Sequence, residues 1–531
     1  MKRIWFVRLQ ALTVVSFVTA FVTACGGGGG GGGGGGVGLP IAGVPGQQVV
    51  LSGTATYDSV PNTTGALAYS AASRKPVRGA LVEVVNEASA VLATATTDGN
   101  GAYSVSLPSG TPVIVRVKAQ LLQGGSGPNW DVSVRDNTQA DALYAMETPA
   151  FSPSLAAVTR DVHAPSGWDG TAYTSARVAG PFAILDAIYA AQTKVLSVAP
   201  ASAFPSLRVF WSVNNLPAPG RAELGQIGTT FFGNRSGGRV IYVLGKEGVD
   251  TDEYDASVVA HEWGHYYQSA FSRDDSPGGG HSLADRLDRR VAFSEGWGNA
   301  WSGIALARSN YTDSSGPNQA QGSNLDLNAG AASNPGWFRE GSIHSILWKL
   351  NSQVGFKSIH DTLTGSFKNT RAVTSIHPFT AAFSVAAPGE APVFAALLAG
   401  QSISPAAGDP FGVSETNNGG VAEALPMYRT AVVGTPDPGA CVTNQAGAGN
   451  KLGNYVYLRF TAPTARTYTI TATAPSSAAD PDLVVYSGGA IARADDVGAS
   501  QTLSVALTTG EHVLAVNDFN NTLVCLTVTI Q

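Results

Sequence analysis

Four residues of this sequence have the types and spacing to do chemistry together. His261 and His265 stand four apart in VVAHEWGHYY, with Glu262 beside the first. On a helix, residues four apart lie one turn above each other on one face. Two imidazoles so placed can hold one divalent cation, and Glu262 can lean over the same cleft to take a proton from water. Residues 253–271 contain no Pro and a single Gly, Gly264, so a helix is expected there. A catalytic zinc uses three protein ligands and keeps one position open, so a third donor is required further along.

Glu295 is the strongest candidate. It lies in VAFSEGWGNAWSGIALA, a largely apolar segment expected to be helical despite its glycines. Phe293, Trp297, Trp301 and Ile304 make an apolar stripe, while Glu295, Asn299 and Ser302 recur at i, i+4 and i+7 as a polar one. A carboxylate on so apolar a helix is costly to bury unless it is paired or bound to metal. The plain alternative is a capped or salt-bridged Glu. The rival donors are His281, on a Gly-rich loop, and Asp274, Asp275, Asp285 and Asp288. These are expected to be solvated, because flexible polar segments seldom hold a ligand still. A metzincin continuation would put Gly at Gln268 and His at Phe271, and neither is present.

HEWGH followed by EGWGN resembles the gluzincin metallopeptidases, and EGWGN is closest to the EGWSD of the fungalysin type. The resemblance implies zinc held by His261, His265 and Glu295, with Glu262 as general base for peptide hydrolysis. Two departures stand out. Asn299 occupies the place of the family's Asp, so its amide oxygen would accept from a ligand His without charge. The gap between His265 and Glu295 is also longer, with SPGGG inserted. A donor for the developing oxyanion is needed besides the metal. His344, in an expected helix Glu340–Val354, fits the downstream position of the family's His or Tyr; Tyr242, Tyr266 and Tyr267 are other candidates. The resemblance further implies that a strand edge beside the HExxH helix pairs with extended substrate. The strand Arg239–Leu244 is the candidate, with an interior strand as its alternative.

The elements that must position these residues are spread over a long chain. At 531 residues, several domains are expected. Apolar residues make up 44 % and charged residues 13 %, which suits an exported, β-containing protein. The net charge of −6 leaves no basic footprint for nucleic acid. Residues 1–24 read as a signal peptide: Lys2, Arg3 and Arg8 precede an apolar run from Ala11 to Val22. Val22-Thr23-Ala24-Cys25 resembles a bacterial lipobox, which implies lipid on Cys25 and anchorage to an outer membrane or cell surface. The alternative is ordinary signal cleavage and secretion. Residues 25–45 would follow as a tether, with unbroken glycine from Gly26 to Gly36. With Cys25 acylated, Cys441 and Cys525 remain, and an oxidising compartment predicts a disulfide between them.

Residues 46–120 carry short alternating segments and the turn TDGNG, which predict a β-sandwich. KPVRGALVEV and TTDGNGAYSVSLPSG resemble carboxypeptidase regulatory-like domains. In residues 121–434, Val178–Val198 predicts an amphipathic helix, Ser282–Arg290 a short helix, and 309–335 a long loop. Residues 435–531 alternate at sandwich spacing, and YTITATA, DPDLVVY and GEHVLAVND resemble the pre-peptidase C-terminal domain. Asp480, Asp482, Asp495 and Asp496 could bind Ca²⁺, though exposed turns explain them more simply.

The expected architecture is therefore a multidomain α+β chain. An N-terminal β-sandwich leads to a central zincin-like metallopeptidase domain, a mixed sheet plus a mainly helical lobe, and a C-terminal β-sandwich closes the chain. The expected activity is zinc-dependent hydrolysis of peptide or protein substrates. Two alternatives stay open: a zincin-fold hydrolase of other bonds, and an adhesion or glycan-binding lipoprotein with a structural core.

Overall fold

The structure is a computed structural model that describes residues 48–153, 157–404, 408–447 and 449–531. Cys25, the signal segment and the glycine run lie outside the described residues. Within them, α and β structure are mixed, with seven α-helices and several sheets. No described helix is long and apolar enough to cross a membrane.

The alternating segment β1 (Gln48–Ser59) buries every second residue, as a half-covered strand should. It pairs antiparallel with Ala102–Pro108 and with Ser73–Pro76, and parallel with Val158–Thr159 and Val162–Ala164. The second layer is a nine-stranded sheet. Its strands are β2 (Ala80–Asn86), β3 (Val91–Thr96), β4 (Val113–Gln123), β5 (Trp130–Asp136), β6 (Leu207–Trp211), β7 (Phe231–Arg235) and β8 (Gly238–Val243), with two short strands at Ala142–Leu143 and Ala145–Glu147. They run in the order β7-β8-β6-β5-β4-β2-β3. The boundary expected near 120 therefore falls inside β4. The sheet continues across it, because Gln120–Gln123 pair with Trp130–Ser133. One apolar core accordingly runs from Leu51 to Leu452.

Seven helices complete this region: α1 (Ala179–Leu196), α2 (Ala256–Phe271), α3 (Arg289–Leu306), α4 (Glu340–Val354), α5 (Phe356–Thr364), α6 (Ile376–Ala386) and α7 (Ala391–Ala399). Helix α3 is buried along nearly its whole length and lies against α2 and α4. Its glycines permit that approach. A Cβ at Gly298 would lie 2.7 Å from the His261 ring, and one at Gly296 would lie 2.5 Å from Ile343 Cβ. Trp263, Trp297, Trp301 and Tyr267 fill the space between α2 and α3; Trp263 and Trp301 stack with ring centroids 5.4 Å apart. The Trp297 indole donates to the Gly264 carbonyl and ties the two helices at the motif itself.

Two expectations fail locally. Ser282–Arg290 is not a helix; α3 starts at Arg289, capped by the Asp288 side chain. Residues 309–335 are not all loop, because β9 (Asn310–Ser315) and β10 (Gln321–Asp326) form an antiparallel hairpin.

Residues 429–531 form two facing sheets of five and four strands over a separate apolar core. Cys441 and Cys525 are disulfide-bonded across the neighbouring strands Asp437–Val442 and Val524–Ile530. This second body is fastened to the first through Arg289 and Arg290. The Arg290 guanidinium lies over the Tyr455 ring at 4.3 Å and donates to the Tyr486 hydroxyl, while Tyr457 donates to Asp288.

Candidate metal centre

Helix α2 carries His261, Glu262 and His265, and α3 carries Glu295 and Asn299. Crossing the two helices at their glycines brings three donor atoms together. His261 Nε2 lies 3.1 Å from His265 Nε2 and 3.2 Å from Glu295 Oε2, and His265 Nε2 lies 3.5 Å from Glu295 Oε2. Zinc–ligand bonds of roughly 2.0–2.1 Å in a tetrahedron place neighbouring ligands about 3.3 Å apart. The three separations match the edges of such a tetrahedron.

The far side of each imidazole is occupied. His261 Nδ1 lies 3.0 Å from Asn299 Oδ1, which can only accept, so Nδ1 carries the proton. The Ser294 hydroxyl donates to Asp274 Oδ2 at 2.8 Å, so its oxygen is free to accept from His265 Nδ1 at 3.2 Å. Both Nε2 lone pairs then face each other and a carboxylate oxygen. Three electron pairs aimed at one point call for a cation, and nitrogen and carboxylate donors at this spacing fit Zn²⁺. Burial opposes the charge on Glu295, but the neighbouring His265, His261 and His281 rings hold its carboxyl well below the usual range.

Glu262 does not join the three. Its Oε2 accepts the Phe232 N–H at 2.7 Å, and burial pushes its carboxyl up, with the neighbouring His261 and His265 opposing. Phe232 belongs to β7, the free edge of the large sheet. The strand Arg239–Leu244, now β8, is interior, between β7 and β6. The edge beside the HExxH helix is thus β7, which the sequence reading did not single out.

His344 is elsewhere. Its Nε2 donates to the Ala329 carbonyl at 3.0 Å, the ring is buried, and burial lowers its pKa to about 4. It has no contact with the three donors, so it is not placed as an oxyanion donor. Tyr266 and Tyr267 are also committed, to the Pro205 carbonyl and to His360, and Tyr242 stacks on Phe231. Tyr311 does stand at the site, with its ring centroid 5.9 Å from that of His261. Burial and the nearby carboxylates of Asp313 and Glu262 keep its phenol protonated. It lay in the stretch read as loop.

The rival donors were expected to be solvated, and several are not. Asp274 supports His265 through Ser294, Asp275 binds the Thr374 N–H, and Asp288 caps α3. Asp285 pairs with Lys451 near the surface. His281 Nε2 reaches Glu295 Oε2 at 3.2 Å.

A second convergence joins Asp250, Asp252 and Asp313, with fully buried Asp255 close by. Burial, then neighbouring carboxylates, raise Asp250 to about 7, and burial raises Asp255 to about 8. The usual carboxyl range lies near pH 4. Between there and pH 8 the folded chain holds protons that the unfolded chain releases, so this cluster's contribution to stability falls as pH rises. Asp313→Asn is expected to stabilise the protein by on the order of 1 kcal/mol at pH 8 and by almost nothing at pH 4. Urea unfolding at the two pH values, in chelator, checks this.

No known family model matches the chain, and no curated protein matches it. Among solved structures, the pre-peptidase C-terminal domain of a collagenase from Bacillus anthracis aligns at 11 % identity over 20 % of this chain and 94 % of its own, with a TM-score of 0.17. PliG from Aeromonas hydrophila, a periplasmic inhibitor of g-type lysozyme, aligns at 19 % identity over 20 % of this chain and 99 % of its own, with a TM-score of 0.14. Likenesses this slight say nothing about what this chain does.

Proposed function

We propose that the chain is a zinc-dependent peptidase of gluzincin type, exported and held at a membrane through lipid on Cys25. One observation carries the reading: His261, His265 and Glu295 present three donor atoms at tetrahedral edge spacing. Bound zinc would supply Lewis acidity and make water a competent nucleophile near neutral pH.

The chain's own residues do the rest. Glu262 accepts a proton from the attacking water and returns it to the leaving amine. The Phe232 N–H holds that carboxylate in place. The free edge of β7 offers backbone groups to an extended peptide, a mode that binds many sequences alike. Tyr311 supplies a protonated phenol beside the same imidazoles. In this reading the N-terminal strands and the central region form one zincin-like body on a shared apolar core, followed by the C-terminal sandwich.

Glu295→Ala is expected to lower zinc affinity by at least about 100-fold and to remove casein cleavage, with the apo-protein still folded. Metal analysis alongside a casein assay measures both. Tight zinc in the Ala variant would remove Glu295 as a ligand. Wild-type protein that holds one zinc but cleaves no peptide would point instead to a non-peptide substrate.

A further inference from the structure

The loop between α2 and α3 carries the inserted glycines, and it is not loose. The Asn450 side chain donates to the Gly278 carbonyl at 2.9 Å, and Lys451 Nζ donates to the Gly280 carbonyl at 2.8 Å. Lys451 also pairs with Asp285 on the far side of the same loop. Two residues from the C-terminal part of the chain thus clasp the segment 278–285.

The clasp delivers His281 to a defined place. Its Nδ1 meets Glu340 Oε2 at 2.7 Å, and its Nε2 meets Glu295 Oε2 at 3.2 Å. Glu340 is buried and opens helix α4, where a negative charge is favoured by the helix N-terminus. The imidazole is therefore held between two carboxylates, one anchored on a helix end and the other in the metal centre. His281 does not belong to the group whose donor atoms converge, which is His261, His265 and Glu295 alone. It reaches Glu295 from outside that group.

We propose that His281 is a positioning residue for the metal centre. Braced by Glu340, it hydrogen-bonds the Glu295 carboxylate and selects the rotamer that turns Oε2 toward the two imidazoles. A carboxylate without that partner can swing about its side-chain torsions, and the third donor then spends less time in place. Outer partners of metal ligands commonly contribute 10–100-fold to affinity in this way. The glycine-rich insertion has a purpose on this account: it is the length of chain needed to bring a third imidazole to Glu295 Oε2. The inference rests on the zinc reading above and names what fixes its third ligand.

The test uses the full-length protein, His281→Ala, and Glu340→Gln, which retains an oxygen acceptor for Nδ1. Zinc affinity is measured by competition with a chromophoric chelator, and the cobalt-substituted proteins are compared by visible absorption. His281→Ala is expected to weaken zinc 10–100-fold and to shift the cobalt bands, while the thermal midpoint of the apo-protein stays near wild type. Glu340→Gln is expected to fall between the two. Unchanged affinity and spectrum in His281→Ala would overturn the inference while the zinc reading survives. A lowered apo midpoint with an unchanged cobalt spectrum would make His281 a packing residue and overturn it too. Wild-type protein that takes up neither ion would overturn both.

Discussion

Glu262→Gln is expected to lower turnover by roughly 10²–10⁴-fold while zinc stays bound at wild-type stoichiometry. The substitution preserves shape, and the amide oxygen still accepts the Phe232 N–H that the carboxylate now accepts at 2.7 Å. Helix α2 and the free edge of β7 should therefore keep their places. What disappears is a group that can take a proton and give it back. KM should change little, because Glu262 is assigned to a step and not to holding substrate. Metal content, kcat and KM measured on the same preparation check the prediction. A Gln variant with normal turnover would remove Glu262 from the reaction.

Asp288→Ala is expected to cost about 3–5 kcal/mol of stability, more than any surface change in this protein. Three roles end at once. The carboxylate caps α3 by accepting the Arg290 N–H, accepts from Arg290 Nε at 2.9 Å, and accepts the Tyr457 hydroxyl at 2.6 Å. Arg290 is 2 % exposed, so its charge would be left in the interior without a carboxylate. Its remaining neighbours are the faces of Tyr455 and Tyr457 and the Tyr486 hydroxyl. Removing both charges, in Asp288→Asn with Arg290→Met, should cost less than removing Asp288 alone, because no uncompensated ion remains. Urea unfolding of the single and double variants decides the order. Glu295 sits on the same helix, so the single variant should also bind zinc more weakly. The C-terminal sandwich is thus part of what holds α3, and not an appendage.

Some of this protein can be read from residue order because the relevant physics is local. Four-residue spacing puts His261 and His265 on one helical face wherever the helix goes. The periodic segments that became α1 and α4 carry their apolar stripes in plain view, and so do the alternating strands after residue 454. The hairpin of β9 and β10 shows why local reading stops. Its buried positions include Thr312 and Ser314, whose hydroxyls donate to the Asn62 carbonyl and to Asp255 instead of entering an apolar core. Polar residues facing inward leave no hydrophobic period, so the stretch looks like loop.

The continuation of the large sheet past residue 120 is hidden for another reason. Backbone pairing between strands uses groups that every residue has and leaves no mark in composition.

Where His281, His344 and the loop aspartates go needed the folded chain. SRDDSPGGGHS has the composition of a solvated loop, and nothing within it predicts order. Its order comes from Asn450 and Lys451, some 170 residues away, and from Glu340 at the start of α4. His344 sits on a well-predicted helix, yet helix geometry fixes only which face a side chain takes. Which carbonyl or carboxylate waits on that face depends on how helices and loops pack, and close packing at Gly296 and Gly298 set that arrangement here.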